Sequence, residues 1–244
     1  MSGPTPLVLQ ARMGSTRLPG KSMLDLAGAP LLGRILERVQ RCREAAPIVV
    51  ATTREPEDDV LAELGERYGV VVFRGSETDL VDRYVQVARA LAVNAVGRLP
   101  ADNPVPEPEE IDRIVAYHRS SGNAFSSNLA EVLGNGYPDG IGAEVFDVAA
   151  LEAVWETVDD PVLREHPHRS FYDYDRGLAV DPKRFPVGTV ECPAELRRPD
   201  LVLDVNTREQ YEVMCELYEA LYPLNPEFRV TEVIRWFDEN ERPR

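Results

Sequence analysis

The sequence predicts an α/β fold, a mainly parallel Rossmann-like sheet with helices on both faces. Three observations lead there. Short apolar runs alternate with helix-period segments through the first half, and a Gly-rich basic loop follows the first of these runs. The length, 244 residues, also suits one core with a small appended lobe. Strand–helix alternation of this kind needs right-handed crossovers, which make neighbouring strands parallel.

Leu7-Val8-Leu9 opens the series as a buried strand. Leu31, Leu32, Ile35, Leu36, Val39 and Cys42 then recur at helical spacing, and Ile48 to Ala51 reads as the next strand. Asp58 to Tyr68 follows as a helix with Val60, Leu61, Leu64 and Tyr68 inward, and Val70 to Phe73 as a strand. Leu80, Tyr84, Val87, Ala88 and Leu91 form a helical stripe, and Ala95, Val96 and Leu99 a strand. Glu107 to Ser121 predicts a helix with Ile111, Ile114, Val115 and His118 on one face. Between Ala124 and Val190 turn signals multiply (Asn135-Gly136, Pro138, Gly140, Pro161, Pro167, Pro182, Pro186), so strands and loops that extend the sheet are expected. Leu201 to Val205 reads as a returning buried strand, Thr207 to Leu221 as a helix, and Thr231 with Glu232 as the start of a last short one. Residues 1–244 form a single domain on this reading, with 124–200 as a lobe walling one side of the site.

Apolar residues make up 43% and charged residues 28%, an ordinary globular composition that argues against disorder. Lys and Arg number 27 against 42 Asp and Glu, a net charge of −15, so a sequence-independent nucleic-acid partner is not expected. No run approaches ~18 apolar residues, so no membrane association is expected either. Cys42, Cys192 and Cys215 lack metal-site spacing and cannot all pair, which favours a reducing, cytoplasmic setting.

Ligands of such sheets sit at the carboxyl ends of the strands. There the chain places Gln10-Ala11-Arg12-Met13-Gly14-Ser15-Thr16-Arg17-Leu18-Pro19-Gly20-Lys21. Gly14 and Gly20 permit close backbone approach, Ser15 and Thr16 supply hydroxyls, and Arg12, Arg17 and Lys21 add cations to an otherwise acidic protein. Together they predict a polyphosphate cradle of backbone N–H groups and guanidinium forks. A nucleoside triphosphate carries about −4, which three cations and one Mg²⁺ would nearly neutralise. Gly20-Lys21-Ser22 matches the end of a Walker A loop, but Ser15 stands where its first Gly belongs and Pro19 removes an N–H.

The segment Gln10 to Lys21 resembles the nucleotide-binding signature of cytidylyltransferases, in particular the spore-coat polysaccharide biosynthesis type, and is similar to that of 3-deoxy-manno-octulosonate cytidylyltransferases. The resemblance continues through Gly75-Ser76-Glu77-Thr78-Asp79 with Asp82-Arg83-Tyr84, and Asp102-Asn103-Pro104. Beyond these come Gly136 to Gly140 with Glu144-Val145-Phe146, then Arg164-Glu165-His166, and Leu203 to Thr207. It covers about residues 5 to 222 in order. Asn103 stands where the family has Cys, and Arg208-Glu209-Gln210 where it has Pro-Glu-Asp.

The resemblance implies a nucleotide-diphospho-sugar transferase-like fold, in a family whose members form dimers, transfer CMP from CTP to a small anionic acceptor and release pyrophosphate. A homodimer using the 124–200 lobe is therefore expected. Arg12, Arg17, Lys21 and Asp102 become the expected catalytic residues, with Arg17 and Lys21 on the triphosphate and Arg12 near the α-phosphoryl oxygens. Gln10, Ala11, Gly14, Ser15, Ser76 and Asp79 join them around the nucleotide, although Ser76 and Asp79 are equally placed to cap a helix. Asp102 is the first expected Mg²⁺ ligand. Asp204 and Asn206, two apart on one extended segment and so on one face, are the second, or cap the Thr207 helix. Tyr137, Asp139, Glu144, Arg164 and His166 are expected at the acceptor, a sugar acid, phosphonate or phosphate. The competing readings are a nucleotide-sugar-dependent glycosyltransferase and a non-catalytic nucleotide-binding protein of the same fold.

Overall fold

Alternating apolar residues in Thr5–Gln10 form strand β1, whose pleat sends Val8 to one core and Leu7 and Leu9 to another. In the computed structural model, which describes residues 3–15 and 17–240, the chain then runs through a small hairpin, β2 (Asp25–Leu26) and β3 (Ala29–Pro30). Next come α1 (Leu31–Val39), β4 (Ala45–Thr53), α2 (Asp59–Arg67), β5 (Val71–Gly75), α3 (Leu80–Leu91) and β6 (Ala95–Pro100). After α4 (Pro108–Ser121) follow β7 (Phe125–Ser127), β8 (Glu144–Asp147), α5 (Val148–Thr157) and α6 (Pro161–Glu165). A second small hairpin, β9 (Tyr172–Asp173) and β10 (Leu178–Ala179), precedes β11 (Val187–Gly188), α7 (Arg208–Leu221) and α8 (Val230–Glu239).

Among the described residues seven strands form the main sheet, in the order β11-β7-β8-β6-β1-β4-β5. Only β8 runs antiparallel to its neighbours, so the predicted mainly parallel α/β sheet is what the chain builds. The order turns back at β1. Strands β4 and β5 are laid down on one side of it and β6 on the other, so α1 and α2 cover one face and α3 the opposite one. The switch point therefore lies between β1 and β6, where Leu9 pairs with Leu99 and Gln10 with Pro100. Their carboxyl ends are level, and Ala101 N–H donates to the Gln10 carbonyl at 3.2 Å.

Two expectations need correction. The segment Val148 to Thr157, read as strand and loop, is helix α5, capped by Asp147, whose carboxylate accepts from Ala150 N–H. Its residues are apolar nearly all round, which blurs the helical period, and it packs on α3. The other correction concerns Leu201 to Val205, which is no strand of the main sheet. It has the alternating burial of one, but no sheet edge is offered to it, and it makes a single bridge, Asp139 to Val202. Instead it crosses the carboxyl end of the sheet, with Leu203 N–H donating to Asp139 O at 3.0 Å and Val205 N–H to Asp102 O at 2.8 Å. That crossing carries Asp204 and Asn206 to Asp102. The α7 helix then starts from a capping box of Thr207 and Gln210. No helix among the described residues is long and apolar enough to cross a membrane.

Candidate active site

The carboxyl ends of β1 and β6 open into a cavity of about 530 Å³, with Glu144 of β8 beside them. Its wall includes Gln10, Ala11, Arg12 and Arg17 from the basic loop, Asp102 after β6, and Asp204 and Asn206 from the crossing segment. Asp139, Glu144 and His166 border it as well.

The basic loop is tied down before any ligand arrives. Asp58, 1% exposed, accepts from Met13 N–H at 2.7 Å and from the Thr53 hydroxyl. Ser15 N–H and Gly20 N–H both donate to the Met13 carbonyl, at 2.8 and 3.2 Å, and Lys21 N–H to Leu18 O at 3.2 Å. Gly20 makes the turn possible with φ +68°, a left-handed conformation that side chains disfavour. The expected cradle of backbone donors is thus corrected. These N–H groups are engaged inside the loop, Gly14 and Ser15 do not border the cavity, and the loop presents cationic side chains instead. Thr16 lies outside the described residues.

Two of those cations converge on the acidic segment. Lys21 Nζ donates to Asp102 Oδ2 at 2.6 Å, to Asn206 Oδ1 at 3.0 Å and to the Val205 carbonyl at 3.0 Å. Arg17 Nη2 donates to the same Asn206 Oδ1 at 2.6 Å, and the Asn206 amide donates to Asp204. Arg12 points the other way and pairs with Glu165 at 2.9 Å. Burial pushes the Asp139 carboxyl up to about 7, with the charges of Asp204, Asp102 and Glu144 adding to it. Asp204 is raised too, by burial and then by Asp102, against the pull of Lys21 and Arg17. Among the described residues no three acidic, His or Cys side chains are grouped to cage a metal. A cation such as Mg²⁺ ordinarily takes one or two carboxylates and fills the rest of its shell with water and substrate phosphate. Asp102, Asp139 and Asp204 carry like charge close together, and a cation would relieve the part of the shift that burial does not cause, so the donor set fits it.

Beneath the cavity lies a buried polar network. Arg98, in the middle of β6, pairs with Glu144 of β8, and its Nε donates to Gln10 Oε1 at 3.0 Å. Tyr84 donates to the same Gln10 oxygen at 2.7 Å, which fixes the amide. Tyr174 donates to Glu144 Oε1 at 3.0 Å. Burial alone would raise Glu144, but the Arg98 guanidinium outweighs it and holds the carboxyl below its usual range. His168 is pushed down to about 4 by burial, despite Glu144, so its neutral Nδ1 accepts from Arg98 at 3.2 Å.

Several predicted residues stand elsewhere. Tyr137, 1% exposed, does not reach the cavity. It donates to Glu110 and accepts from Arg113 at 3.0 Å, a contact under the sheet end rather than at an acceptor. Ser76 and Asp79 take the capping alternative: Ser76 Oγ accepts from Asp79 N–H, and Asp79 accepts from Asp82 N–H at 2.8 Å. Arg164 pairs with Asp79 and so is drawn away from the acceptor side as well. Sequence reasoning missed Arg83, Arg98 and Tyr174, all on the cavity wall. A charge inside an apolar strand at Arg98, and one on the apolar stripe of α3 at Arg83, were the available signals.

Comparison with known proteins agrees with this geometry. A family model described as cytidylyltransferase matches residues 7–217. The spore coat polysaccharide biosynthesis protein SpsF of Bacillus subtilis is 30% identical over 246 residues, covering 96% of this chain and 93% of that protein. A 3-deoxy-manno-octulosonate cytidylyltransferase of Anaeromyxobacter dehalogenans is 34% identical over 132 residues, about half of each chain (53% and 52%). Among solved structures, a cytidylyltransferase from Leptospira borgpetersenii superposes with a TM-score of 0.84 at 29% identity, over 97% of this chain and 94% of that one. With its switch-point cavity, its basic loop and a match over residues 7–217, the chain belongs to the cytidylyltransferase family of nucleotidyltransferases.

Proposed function

We propose that the protein transfers CMP from CTP to an oxygen of a small anionic acceptor, a sugar acid or a related phosphonate or phosphate, and releases pyrophosphate. The observation that carries this reading is the junction in which Lys21 and Arg17 meet Asp102 and Asn206 at the switch point. It sets two cations and an acidic anchor where a triphosphate must lie.

In the reaction the acceptor oxygen forms a bond to the α-phosphorus while the α–β bridging P–O bond breaks, and pyrophosphate leaves with that electron pair. Catalysis of this type is mostly positioning and charge stabilisation. Lys21 and Arg17 hold the triphosphate oxygens, and Arg12, at the cavity rim, takes the α-phosphoryl side. Asp102, Asp204 and the Asn206 amide oxygen would hold Mg²⁺, which when bound neutralises phosphate charge and orients the reacting groups. On the acceptor side, Arg169 borders the cavity and has no ion-pair partner among the described residues, which suits an anionic acceptor. His166 beside it is kept below its ordinary pKa, chiefly by burial, and so is free to take the acceptor hydroxyl's proton.

The test is incubation with CTP, Mg²⁺ and a panel of sugar acids, phosphonates and sugar phosphates, followed by pyrophosphate release. Release that requires both CTP and one acceptor supports the reading. Tight CTP binding with no turnover across the panel, or turnover of a nucleotide-sugar instead, overturns it.

A further inference from the structure

A second cavity, of about 490 Å³, opens at the other end of the sheet, between the C-terminal end of α4, the first turns of α5 and the segment leading into β11. Thr5 and Ala95, at the amino ends of β1 and β6, border it. Along β6, five steps of about 3.3 Å from Ala95 to Pro100 put about 16 Å between it and the active-site cavity. Nothing in the CTP chemistry proposed above uses this space, which is of a size that suits a small molecule. His118 borders it and is 5% exposed. The ring's Nδ1 lies 2.9 Å from Ser126 Oγ. That hydroxyl accepts from Asn123 Nδ2 at 3.4 Å and, among the described residues, has no acceptor for its own proton except Nδ1. Ser126 therefore donates to Nδ1, and the ring proton sits on Nε2, which has no partner among the described residues. Burial pushes the imidazole down to about 4, against the pull of Asp147, so the ring is neutral. A buried donor of this kind ordinarily has a partner.

Around His118 the wall carries both signs of charge, and they do not meet. Arg184 lies over the Phe185 ring at 4.7 Å and makes no ion pair among the described residues. Asp147 caps α5 by accepting from Ala150 N–H at 3.0 Å, and it too makes no ion pair among them. Arg119, by contrast, is engaged with Glu44 at 2.5 Å and with the Thr5 hydroxyl at 3.1 Å. The carbonyl end of α4 closes on the same wall at Gly122, and a helix C-terminus favours a cation. Ala149, Ala150 and Ala153 of α5, with Phe185, make the rest of the wall small and apolar.

We infer that this second cavity binds a zwitterionic α-amino acid with an apolar side chain. Its carboxylate pairs with Arg184 and accepts from His118 Nε2, and its ammonium lies at Asp147 and the end of α4. The side chain rests on the alanines of α5 and on Phe185. A simple anion would be repelled by Asp147 and a simple cation by Arg184, so a molecule carrying both charges answers the whole wall. The site is separate from the CTP reading and stands or falls without it.

Isothermal titration calorimetry at neutral pH with leucine, methionine, valine and phenylalanine tests it on the full chain. At least one should bind with a Kd below about 1 mM. The analogue of that binder without its amino group, and the one without its carboxylate, should each bind about tenfold more weakly or worse. Arg184→Gln, at an exposed residue, and Asp147→Asn, which keeps the helix cap, should each weaken binding about tenfold while the protein stays folded. Binding that either variant leaves unchanged places the ligand elsewhere and overturns the inference. Failure of all four amino acids to bind overturns it as well, and so does a singly charged analogue that binds as tightly as its parent.

Discussion

Replacing Lys21 with Met keeps the aliphatic stem and removes the charge that joins the basic loop to the acidic segment. The wild-type ammonium makes three bonds, the shortest 2.6 Å to Asp102. Bonds to charged groups contribute about 1.5–3 kcal/mol each when isolated, but these three share one ammonium. The Lys21 and Asp102 side chains are also 13% and 21% exposed, so water reaches the stranded carboxylate and softens the loss. The net destabilisation should be about 2 kcal/mol, which for a chain of this size lowers Tm by about 4–8 °C. Losing one phosphate-facing cation should also lower kcat/KM for CTP by about ten- to hundredfold. Lys21→Arg tests the geometry separately, because a planar fork does not reproduce three bonds radiating from one nitrogen. Differential scanning fluorimetry and pyrophosphate release measure both quantities. A Lys21→Met protein with wild-type Tm and wild-type kcat/KM would refute the role of the junction in both.

Asp139 ionises late in the folded protein, at about 7, against 3.8 for the free side chain. Its burial therefore adds no penalty below about pH 4 and a growing one as pH rises to 7, so Asp139→Asn should gain about 2–4 kcal/mol relative to wild type at pH 8 and little at pH 4.5, read from Tm at both pH values. Tyr137→Phe should lower stability by about 1 kcal/mol in urea titration, through loss of the hydroxyl's bonds to Glu110 and Arg113, which stay paired with each other at 3.0 Å, with kcat/KM for the acceptor unchanged. Asp58→Ala strands Met13 N–H and the Thr53 hydroxyl, and should loosen the basic loop enough to lower kcat/KM by about tenfold, with far-UV circular dichroism unaltered. Glu165→Gln frees Arg12 from a half-exposed partner; because such bridges contribute at most about 1 kcal/mol, Tm stays put while calorimetry shows CTP binding tightened a few-fold.

The sheet was legible because each parallel strand is a short apolar run bounded by turn residues, and α1 to α4 each bury one face at helical spacing. The helix α5 was not, because Val148 to Trp155 is apolar on most sides and carries little period. Leu201 to Val205 misled for a related reason. Alternating burial says that one side of a segment faces a core, but not that a sheet edge is free to receive it. In the site, charge was legible and partnership was not. The Arg12, Arg17 and Lys21 cluster stands out in an acidic chain, yet only the fold shows Arg12 meeting Glu165 while Lys21 meets Asp102. Tyr137 and Arg164 fell away from the expected acceptor side because each found a closer partner, Glu110 and Asp79, from another element.

Those partnerships also decide how the site can work. A protein of net charge −15 repels a triphosphate at long range, so attraction must come from a local excess of positive charge. That excess is partly cancelled within the protein, since Lys21 is paired with Asp102 and Arg12 with Glu165. Of the three loop cations, Arg17 sits on the neutral Asn206 amide and has no carboxylate partner among the described residues. On the proposed reading, binding is an exchange of partners: phosphate oxygens would replace Asp102 at Lys21, and the carboxylate set free would be placed to take a divalent cation. A cation there would relieve the like-charge crowding that adds to burial in raising Asp139 and Asp204. On that reading, the ion pair that holds the loop in shape would also keep the cation and the carboxylate positioned until the substrate separates them. That is a cheaper way to preorganise opposite charges than holding either one unpaired in a half-buried cleft.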